Sequence, residues 1–274
     1  MQFADLHIHS KFSDGLLSPK EIIDISIQKG LKCISITDHD TIKSQLEISK
    51  LHYENSINVV PGVEISTEYK NKEIHILGYF ININDDVLIK TLDDIQDSRK
   101  NRALEMVSKL QELDMDINLN EINFDDVSIG RFHIAKMLVK KGLAYNTKDA
   151  FHNYLMKGKP AYVDRHKIDY KSALKLISYC NGVAVLAHPG EIYKGIQIEE
   201  LIKEFRVYGL RGIEVFHPSH SPKDTNDYYN LAKKYSLIIT GGSDCHGISI
   251  RDNLLIGTCG INENLTNKFL KIKK

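Results

Sequence analysis

We predict an α/β fold with a helical insertion, because strand-like and helix-like segments alternate near both ends of the 274-residue sequence. The stretch at 31–37, "LKCISIT", is a continuous apolar run, as in strands that are buried on both faces of a parallel sheet. The region 86–180 breaks this alternation, since it has helical patterns and almost no strand pattern. Repeated βα units of this kind build a parallel sheet, either open or closed.

The first part of the body begins with a strand that ends at His9, followed by a helix whose ends the sequence marks. Ser18 and Glu21 have the spacing of a capping box. Pro19 suits the first helical position, and Gly30 suits the position after the last one. Further predicted elements are the strand at 31–37, a helix near 41–53, and two strands at 57–66 and 73–80 that the turn "YKNK" connects.

The insertion divides the body into two parts, 1–85 and 181–274, around a helical segment at 86–180 that we expect to cover the active site. Its predicted helices lie at roughly 86–113, 131–141, 148–157 and 170–180. After it, the alternation resumes with the strand "GVAVLAHP", a helix near 197–208, the strand "GLRGIEVFHP", a helix near 223–235 and the strand "SLIITGGSDCHG".

The composition is that of a globular protein with a sizeable core, since 42% of the residues are hydrophobic and 26% are charged. The formal net charge is zero, so no overall basic field indicates nucleic-acid binding. The four cysteines form no CxxC pair, which argues against a thiolate zinc site and for reduced thiols. With no recognisable signal peptide and no apolar run of membrane-spanning length, we expect a cytoplasmic protein without a membrane partner.

The opening motif "FADLHIHSKFSDG" places Asp5, His7 and His9 at alternate positions of the first strand. Alternate side chains of a strand share one face, so these three polar groups lie together. Burying them is costly unless something binds them. On this stretch alone, a polar cluster that satisfies its own hydrogen bonds and a metal site are both open.

Similar residues follow almost every later strand. The stretches "ITDHD", "GVEIS", "LAHP", "FHPSHS" and "GGSDCHG" each bring a histidine or a carboxylate to the end of a strand or close to it, and "EIHILGY" has His75 within its strand. In parallel α/β barrels the active site lies at the carboxyl ends of the strands, so we expect these side chains to converge. The candidate metal ligands are His7, His9, Asp14, His39, Glu64, His75, His188, Asp244 and His246.

The types of these side chains indicate the kind of metal site. Imidazole and carboxylate ligands without thiolate suit manganese, iron or zinc, and these ligand types do not choose among the three. Our expectation is manganese. Nine candidates are too many for one tetrahedral ion and suit a centre of two or three divalent ions. Such centres stabilise an in-line displacement at phosphorus and supply hydroxide at neutral pH.

These motifs also carry a family resemblance. The stretches "DLHIHS…SDG", "TDHD", "GVEIS", "HILGYF", "AHP" and "GSDCHG" resemble, in this order, the motifs of the polymerase and histidinol phosphatase (PHP) superfamily. The resemblance implies a distorted (β/α)7 barrel, similar to a TIM barrel, around a trinuclear metal centre. In the insertion, "GRFHIAKML" and "GKPAYV" resemble the branch that hydrolyses nucleoside 3′,5′-bisphosphates and short oligoribonucleotides, although Phe132 replaces the usual proline and Lys136 the usual arginine.

The resemblance also implies how the ligands divide. One ion would be held by His7, His9, Glu64 and Asp244, a second by Asp14, His39 and His246, and a third by Glu64, His75 and His188. Glu64 would therefore bridge two ions. Asp5 and Asp38 would orient imidazoles. Asp40 would either do the same or start the helix that follows it, and we favour the helix start. Cys245 would turn away from the ligands on either side of it and pack in the core.

Other residues are candidates for contacting the substrate. Arg131 and Lys159 of the insertion would hold a phosphate. His217 and His220 would bind phosphate or donate a proton to the leaving oxygen. With these two histidines, Asp14 completes the set of catalytic candidates.

The stretch 131–175 around Arg131 is strongly basic, with eleven Lys and Arg residues against three Asp and Glu residues. This charge fits either a solvated helical face or an anion-binding surface beside the site. His133, His152 and His166 lie in the same stretch and are weaker candidates for a role. For His133 the reason is that a residue two positions after Arg131 does not face the same way on a helix.

We therefore expect a metal-dependent phosphoesterase that removes the 3′-phosphate of nucleoside 3′,5′-bisphosphates and also acts on short 5′-phosphorylated oligoribonucleotides. Two alternatives stay open, namely a histidinol-phosphate phosphatase and a non-catalytic metal-binding PHP module. The basic stretch favours a substrate with a second anionic group, because it would repel the ammonium group of histidinol phosphate. We expect no obligate protein partner.

Overall fold

The computed structural model describes residues 3–53, 57–118, 127–164, 167–247 and 254–273. The strands are β1 (Ala4–Ile8), β2 (Cys33–Ile36), β3 (Asn58–Val59), β4 (Gly62–Tyr69), β5 (Lys72–Tyr79), β6 (Ile168–Asp169), β7 (Val183–Leu186), β8 (Leu210–Phe216) and β9 (Ile238–Gly241). The α-helices are α1 (Pro19–Gln28), α2 (Lys43–Ile48), α3 (Asp86–Gln111), α4 (Arg131–Lys140), α5 (Thr147–Ala150), α6 (Tyr170–Tyr179), α7 (Ile198–Val207), α8 (Pro222–Lys234) and α9 (Glu263–Leu270). A π-helix at Phe151–Leu155 follows α5 directly.

The strands form two sheets, one of order β1-β2-β3 and one of order β6-β4-β5-β7-β8-β9. The first sheet is parallel, and so are the pairs β7-β8 and β8-β9, as the alternation predicts. The strand β5, however, is antiparallel to both of its neighbours. The reason is the tight turn at Lys70 and Asn71, whose φ angles of 49° and 58° suit a two-residue hairpin. The fold is therefore mixed α/β.

Backbone hydrogen bonds tie the two sheets together near the carboxyl ends of β1 and β2. The N–H of His9 donates to Cys245 O at 3.0 Å, and the N–H of Asp244 donates to His7 O at 2.8 Å. On the other side, the N–H of Asp40 donates to Glu64 O at 2.8 Å. These bonds bring the segments that follow β1, β2 and β9 next to one another and to β4.

The helices of the body pack on its two sheets through separate apolar clusters. The helices α6 and α7 and the first turns of α3 pack on the large sheet through an apolar cluster that includes Leu88, Ile177 and Phe205. The helices α1 and α2 cover the small sheet. The predicted capping box of α1 is confirmed, since Ser18 and Glu21 exchange hydrogen bonds with each other's backbone N–H. No described helix is both long enough and apolar enough to cross a membrane.

The region between α3 and α6 has an apolar cluster of its own. The last turns of α3, from Ala103 to Leu110, pack there against α4, α5 and the buried Ala161. The predicted helix at 148–157 is in fact the short α5 and the π-helix. The helix α6 packs instead on the large sheet, because the short strand β6 before it pairs with β4. The helix α3 thus contributes to two cores.

Candidate metal centre and substrate cleft

The nine predicted metal ligands converge at one place, which we call the candidate metal centre. They fall into four overlapping groups within which the nitrogen and oxygen atoms lie no more than 4.8 Å apart. The groups are His9, Asp14, His39 and His246; His7, His9 and Asp244; His7, Glu64 and His188; and His39, Glu64 and His75.

The direction of each strand explains how these side chains meet. His7 on β1 and His9 just after it face alike because their positions alternate. His75 lies within its strand, in the first half of β5. Since β5 runs antiparallel, this half lies beside the carboxyl end of β7, where Ile76 pairs with Leu186.

A close backbone approach brings Asp244 alongside β1. Gly242 precedes it by two residues, and a Cβ atom at Gly242 would lie 2.3 Å from the Cβ of His7. Asp244 itself has a φ of 49°, which turns the chain at the ligand. Only glycine at position 242 allows this approach, so the "GGSD" motif has a steric reason as well as a chemical one.

Glu64 is buried, and its two carboxylate oxygens face different sets of histidines. Oε2 lies 3.3 Å from His7 Nε2 and 3.2 Å from His9 Nε2. Oε1 lies 2.9 Å from His75 Nδ1 and 3.0 Å from His188 Nε2. This arrangement gives Glu64 the geometry of a bridging group between two of the predicted ligand sets.

Asp244 also approaches histidine nitrogens with both of its carboxylate oxygens. Its Oδ1 lies 3.4 Å from His7 Nε2 and 3.1 Å from His9 Nε2, and its Oδ2 lies 3.3 Å from His217 Nε2. His217 is only 6% exposed, and its Nδ1 forms a 2.7 Å hydrogen bond with Ser219 Oγ. The predicted catalytic residue His217 thus lies directly beside the candidate metal centre.

The remaining predicted set surrounds Asp14. Its Oδ1 lies 3.2 Å from His246 Nε2, and its Oδ2 lies 3.9 Å from His39 Nε2. The rings of His9 and His246 stack with their centroids 4.2 Å apart. Asp14, His39 and His246 therefore form a third group beside the one that Glu64 and Asp244 share.

These distances fit divalent ions held between the side chains. Two ligand atoms at about 2.1 Å from one ion lie about 3.0–3.4 Å apart, and most of the separations around Glu64 and Asp244 have that size. His39 Nδ1 is buried and lies 3.0 Å from Glu64 Oε2, yet it forms no hydrogen bond. A nitrogen and a carboxylate oxygen that approach without a shared proton suit a cation between them. The imidazole and carboxylate set suits a transition metal ion.

Contacts between carboxylates and imidazoles set the pKa values of most groups in the candidate metal centre. Burial favours the neutral forms of Glu64 and Asp244, but the surrounding imidazoles hold the pKa of both carboxyls well below the usual range. Burial also opposes protonation of His9, yet hydrogen bonds to Asp244 and Glu64 raise its pKa to about 10. Burial dominates at His39 and lowers its pKa to about 3. The carboxylates are therefore ionised, as metal ligands must be.

Sequence reasoning missed Glu214, which orients two of the candidate ligands. It is fully buried on β8. Its Oε1 lies 3.1 Å from His7 Nδ1, and its Oε2 accepts a 2.8 Å hydrogen bond from the backbone N–H of His188. The available signal was a lone glutamate in the otherwise apolar strand "GIEVF".

The expected contacts of Asp5 and Asp38 with imidazoles are wrong in detail. The carboxylate of Asp5 accepts backbone hydrogen bonds from Ser243 at 2.9 Å and from Gly257 at 2.8 Å. Asp38 accepts from the N–H and the hydroxyl of Ser10, both at 2.7 Å. Both aspartates thus hold the backbone segments that carry ligands.

Asp40 also differs from the expectation, because it does not cap a helix. The N-cap of α2 is Ile42, and Asp40 has a φ of 53°. Its carboxylate pairs with Arg99 of α3, where Nε donates to Oδ2 at 2.8 Å, and accepts from the N–H of Ser66 at 2.8 Å. Arg99 also donates to Ile129 O at 3.0 Å. This buried pair connects the "TDHD" loop to the insertion.

A cleft of about 150 Å³ lies between the candidate metal centre and the insertion. The lining residues from the body are Asp14, His39, Ser66, Glu73 and His75, and those from the insertion are Arg99, Arg102, Gly130, Arg131, Phe132 and Phe151. The predicted phosphate-binding residue Arg131 is thus brought to the centre, together with Arg99 and Arg102, which the sequence analysis did not single out. We call this cavity the substrate cleft.

The other substrate-binding candidates lie elsewhere. Lys159 sits in a turn of the insertion and is not among the residues that line the substrate cleft. His220 has partners at both ring nitrogens, since its Nε2 accepts from the N–H of Gly190 at 3.1 Å and its Nδ1 lies 2.9 Å from Val215 O. His133 contacts Gly130 N and Ser13 O, which ties α4 to the loop before Asp14.

Of the last two weak candidates, His152 and His166, the structure describes only the first. His152 is exposed and lies beside Asn153. His166 falls outside the described residues. Cys245 is buried among apolar side chains of the body, as expected, and its Sγ accepts a hydrogen bond from the N–H of Gly247.

Comparison with known proteins identifies relatives along most of the chain. Residues 5–206 match the family model of the PHP domain. A 3′,5′-nucleoside bisphosphate phosphatase of Chromobacterium violaceum is 33% identical over 247 residues, which cover 88% of this chain and 86% of the relative. The 5′-3′ exoribonuclease Rnm of Escherichia coli strain K12 is 31% identical over 249 residues, which cover 88% of this chain and 84% of the relative.

A solved structure is similar over nearly the whole fold. This crystal structure from Bifidobacterium adolescentis, assigned to the metal-dependent phosphoesterases, superposes with a TM-score of 0.89 at 25% sequence identity. The superposition covers 98% of this chain and 96% of the other. The likeness therefore includes both the body and the insertion.

Proposed function

This chain belongs to the PHP domain family, and on that basis we propose that it is a metal-dependent hydrolase of phosphate esters. The match over residues 5–206 confirms the resemblance that the sequence motifs indicated. The observation that carries the proposal is the convergence of nine imidazole and carboxylate side chains at one place. A centre of this composition serves displacement at phosphorus, and the relatives named above act on phosphate esters.

We propose that the candidate metal centre holds two or three divalent ions, with manganese as the native metal and iron or zinc as alternatives. The ligand sets are those that the sequence motifs imply, with Glu64 between two of them. When bound, such ions activate water and neutralise the charge that develops on the phosphate oxygens. Glu214, Asp5 and Asp38 would keep the ligands in place through the contacts described above.

We propose His217 as the residue that delivers a proton to the leaving oxygen. It lies at the edge of the candidate metal centre, where Asp244 and Ser219 fix the orientation of its ring. His220, by contrast, would act as a positioning residue, because both of its ring nitrogens are engaged and one of them holds Gly190 beside His188. This proposal differs from the catalytic role predicted for His220.

A substrate with two phosphates suits the cleft best. One phosphate would lie at the candidate metal centre and be cleaved, and Arg131 on the facing wall would hold the other. Nucleoside 3′,5′-bisphosphates have this pair of groups, and so does the 5′-phosphorylated end of a short RNA. The names of the two sequence relatives support these two substrate classes in that order. Lys159 stays a candidate for the same role at a greater distance from the cleft.

The test is a comparison of two substrates with the manganese-loaded protein. We expect kcat/KM for adenosine 3′,5′-bisphosphate to exceed that for histidinol phosphate by at least about 100-fold, or roughly 2.7 kcal/mol of transition-state preference. Comparable efficiency on both compounds would contradict the substrate and leave the phosphoesterase activity. Inactivity on both, together with bound metal, would favour the non-catalytic module.

Three further expectations belong to this proposal. We propose that the two sheets form one distorted (β/α)7 barrel, supported by the backbone bonds that join the segments after β1 and β9. We propose that 86–180 acts as an insertion over the centre, supported by its separate apolar cluster and its part of the cleft.

A cytoplasmic location is supported by the four cysteines, which are all free thiols.

A further inference from the structure

Two aromatic side chains in the substrate cleft have no role in the chemistry described so far. Phe132 and Phe151 both line the cleft and are both half-buried. Phe132 belongs to none of the four apolar clusters among the described residues. Phe151 packs only at the margin of the insertion's own cluster. Neither ring is therefore used mainly to stabilise the fold.

Two different structural elements carry these rings. Phe132 is the second residue of α4, directly after Arg131. Phe151 begins the π-helix that interrupts the regular course of α5. A π-helix is rare, and it changes the direction of the side chains that follow it, often at functional sites. Two separate elements thus bring an aromatic residue to the same small cavity.

The phosphate-binding candidate lies against one of these rings. The guanidinium carbon of Arg131 is 5.6 Å from the centroid of the Phe151 ring. An anion held by Arg131 would therefore have an apolar aromatic surface beside it. A nucleoside phosphate presents this combination, because its base and its phosphates are attached to one ribose.

We infer that Phe132 and Phe151 form a stacking site for the base of a nucleotide substrate. This inference rests on the proposed function and adds how the nucleoside is recognised. A purine or pyrimidine ring stacks on an aromatic side chain with little regard to its identity, because every base has a π-face. The described residues that line the cleft include no Asn or Gln, the side chains that form bidentate contacts with adenine. Stacking would thus require a base without selecting adenine.

The size of the cleft agrees with this role. A cavity of about 150 Å³ is smaller than the roughly 300–1,000 Å³ of pockets that enclose a whole ligand. The cleft therefore holds part of the substrate and leaves the rest outside. A chain that extends beyond the first nucleotide would be accepted for the same reason, which fits the short-RNA substrate.

The experiment compares substrates with and without a base. Adenosine 3′,5′-bisphosphate and 1,4-anhydroribitol 3,5-bisphosphate have the same phosphates, but hydrogen replaces the base in the second. Phe132→Leu and Phe151→Leu keep an apolar side chain and remove the π-face. We expect each variant to lower the ratio of kcat/KM for the first substrate to kcat/KM for the second by about fivefold to 100-fold. Phe151→Tyr, which keeps an aromatic ring, should retain most of the wild-type ratio.

A surface aromatic of the same insertion provides the control. Tyr145 is 90% exposed, and Tyr145→Leu should leave the ratio unchanged. Equal losses on both substrates in the two phenylalanine variants would overturn the inference, since they would reveal a purely structural role. An active wild type that does not prefer the substrate with a base would also overturn it. Inactivity of the wild type on both substrates would instead contradict the proposed function itself.

Discussion

At the scale of single residues, Glu64 contacts histidines of the candidate metal centre that come from several different strands and loops. Its carboxylate oxygens lie within 3.3 Å of ring nitrogens of His7, His9, His39, His75 and His188. An imidazole offers one lone pair to one ion, whereas a carboxylate offers an oxygen to each of two ions. Loss of this charge should therefore affect more than one ion.

We predict that Glu64→Gln lowers the metal content by at least one ion per chain and kcat/KM by at least about 100-fold, the upper end of the cost of losing an outer partner of a metal ligand. Elemental analysis and phosphatase assays of the same preparation would measure both. Glu200→Gln is the matched control, because Glu200 is largely exposed and pairs only with Lys203 among the described contacts. Full metal content in Glu64→Gln would contradict the bridging role.

A second residue prediction concerns Glu214, which touches His7 from the side away from Glu64. Glu214→Gln keeps the size of the side chain but removes the charge that orients the His7 ring. We expect metal affinity to fall by about 10- to 100-fold. Competition with a chelator of known affinity would measure this, and excess manganese should restore much of the activity. Unchanged affinity would mean that Glu214 only satisfies the N–H of His188.

At the scale of elements, the pair Asp40–Arg99 joins the long helix α3 to the loop that carries His39. Asp40 is fully buried and Arg99 is only 8% exposed, so removal of either partner leaves a charge inside the protein. We predict that Arg99→Met lowers the free energy of unfolding by about 3–5 kcal/mol. Urea denaturation would measure it. The double variant with Asp40→Asn, which suits the positive φ at this position, should lose less than the sum of the two single variants.

The same elements show what could be predicted from the sequence. Alternation along β1 placed His7 and His9 on one face, and the capping box of α1 was readable from Ser18 and Glu21. The antiparallel direction of β5 was not predicted, because the repeated βα units elsewhere in the chain indicated a parallel sheet. The short turn "YKNK", with two central residues, indicated an antiparallel pair of strands, since parallel strands need a longer connection.

Contacts between distant elements were beyond the sequence. The lone Glu214 and the pair of Asp40 with Arg99 depend on which strand or helix lies next to which. The π-helix that presents Phe151 replaces part of a predicted α-helix, because the pattern of apolar residues does not distinguish the two. Local patterns therefore located the ligands, while the residues that position them required the fold.

At the scale of the whole molecule, the candidate metal centre lies among elements that are stabilised independently of it. In the part of the chain that the structure describes, four apolar clusters pack on the sheets and within the insertion. Without metal, the carboxylates of the centre are balanced by protonated imidazoles such as His9, whose raised pKa reflects that pairing. Removal of the ions should thus weaken the fold without abolishing it, unlike in small domains that only fold around a metal.

We therefore predict that chelation lowers the Tm by about 5–10 °C for each ion removed and leaves the far-UV circular dichroism unchanged at 25 °C. One ion at 100 times its Kd stabilises the native state by about 2.7 kcal/mol, and each kcal/mol shifts the Tm of a chain of about this size by roughly 2–4 °C. Manganese should restore the Tm, while magnesium should do so poorly, because it prefers oxygen ligands. Loss of the circular dichroism on chelation would mean that the metal is required for folding. A Tm that responds neither to chelation nor to added manganese would contradict the metal centre, because nine converging ligands would then be held by their mutual hydrogen bonds alone.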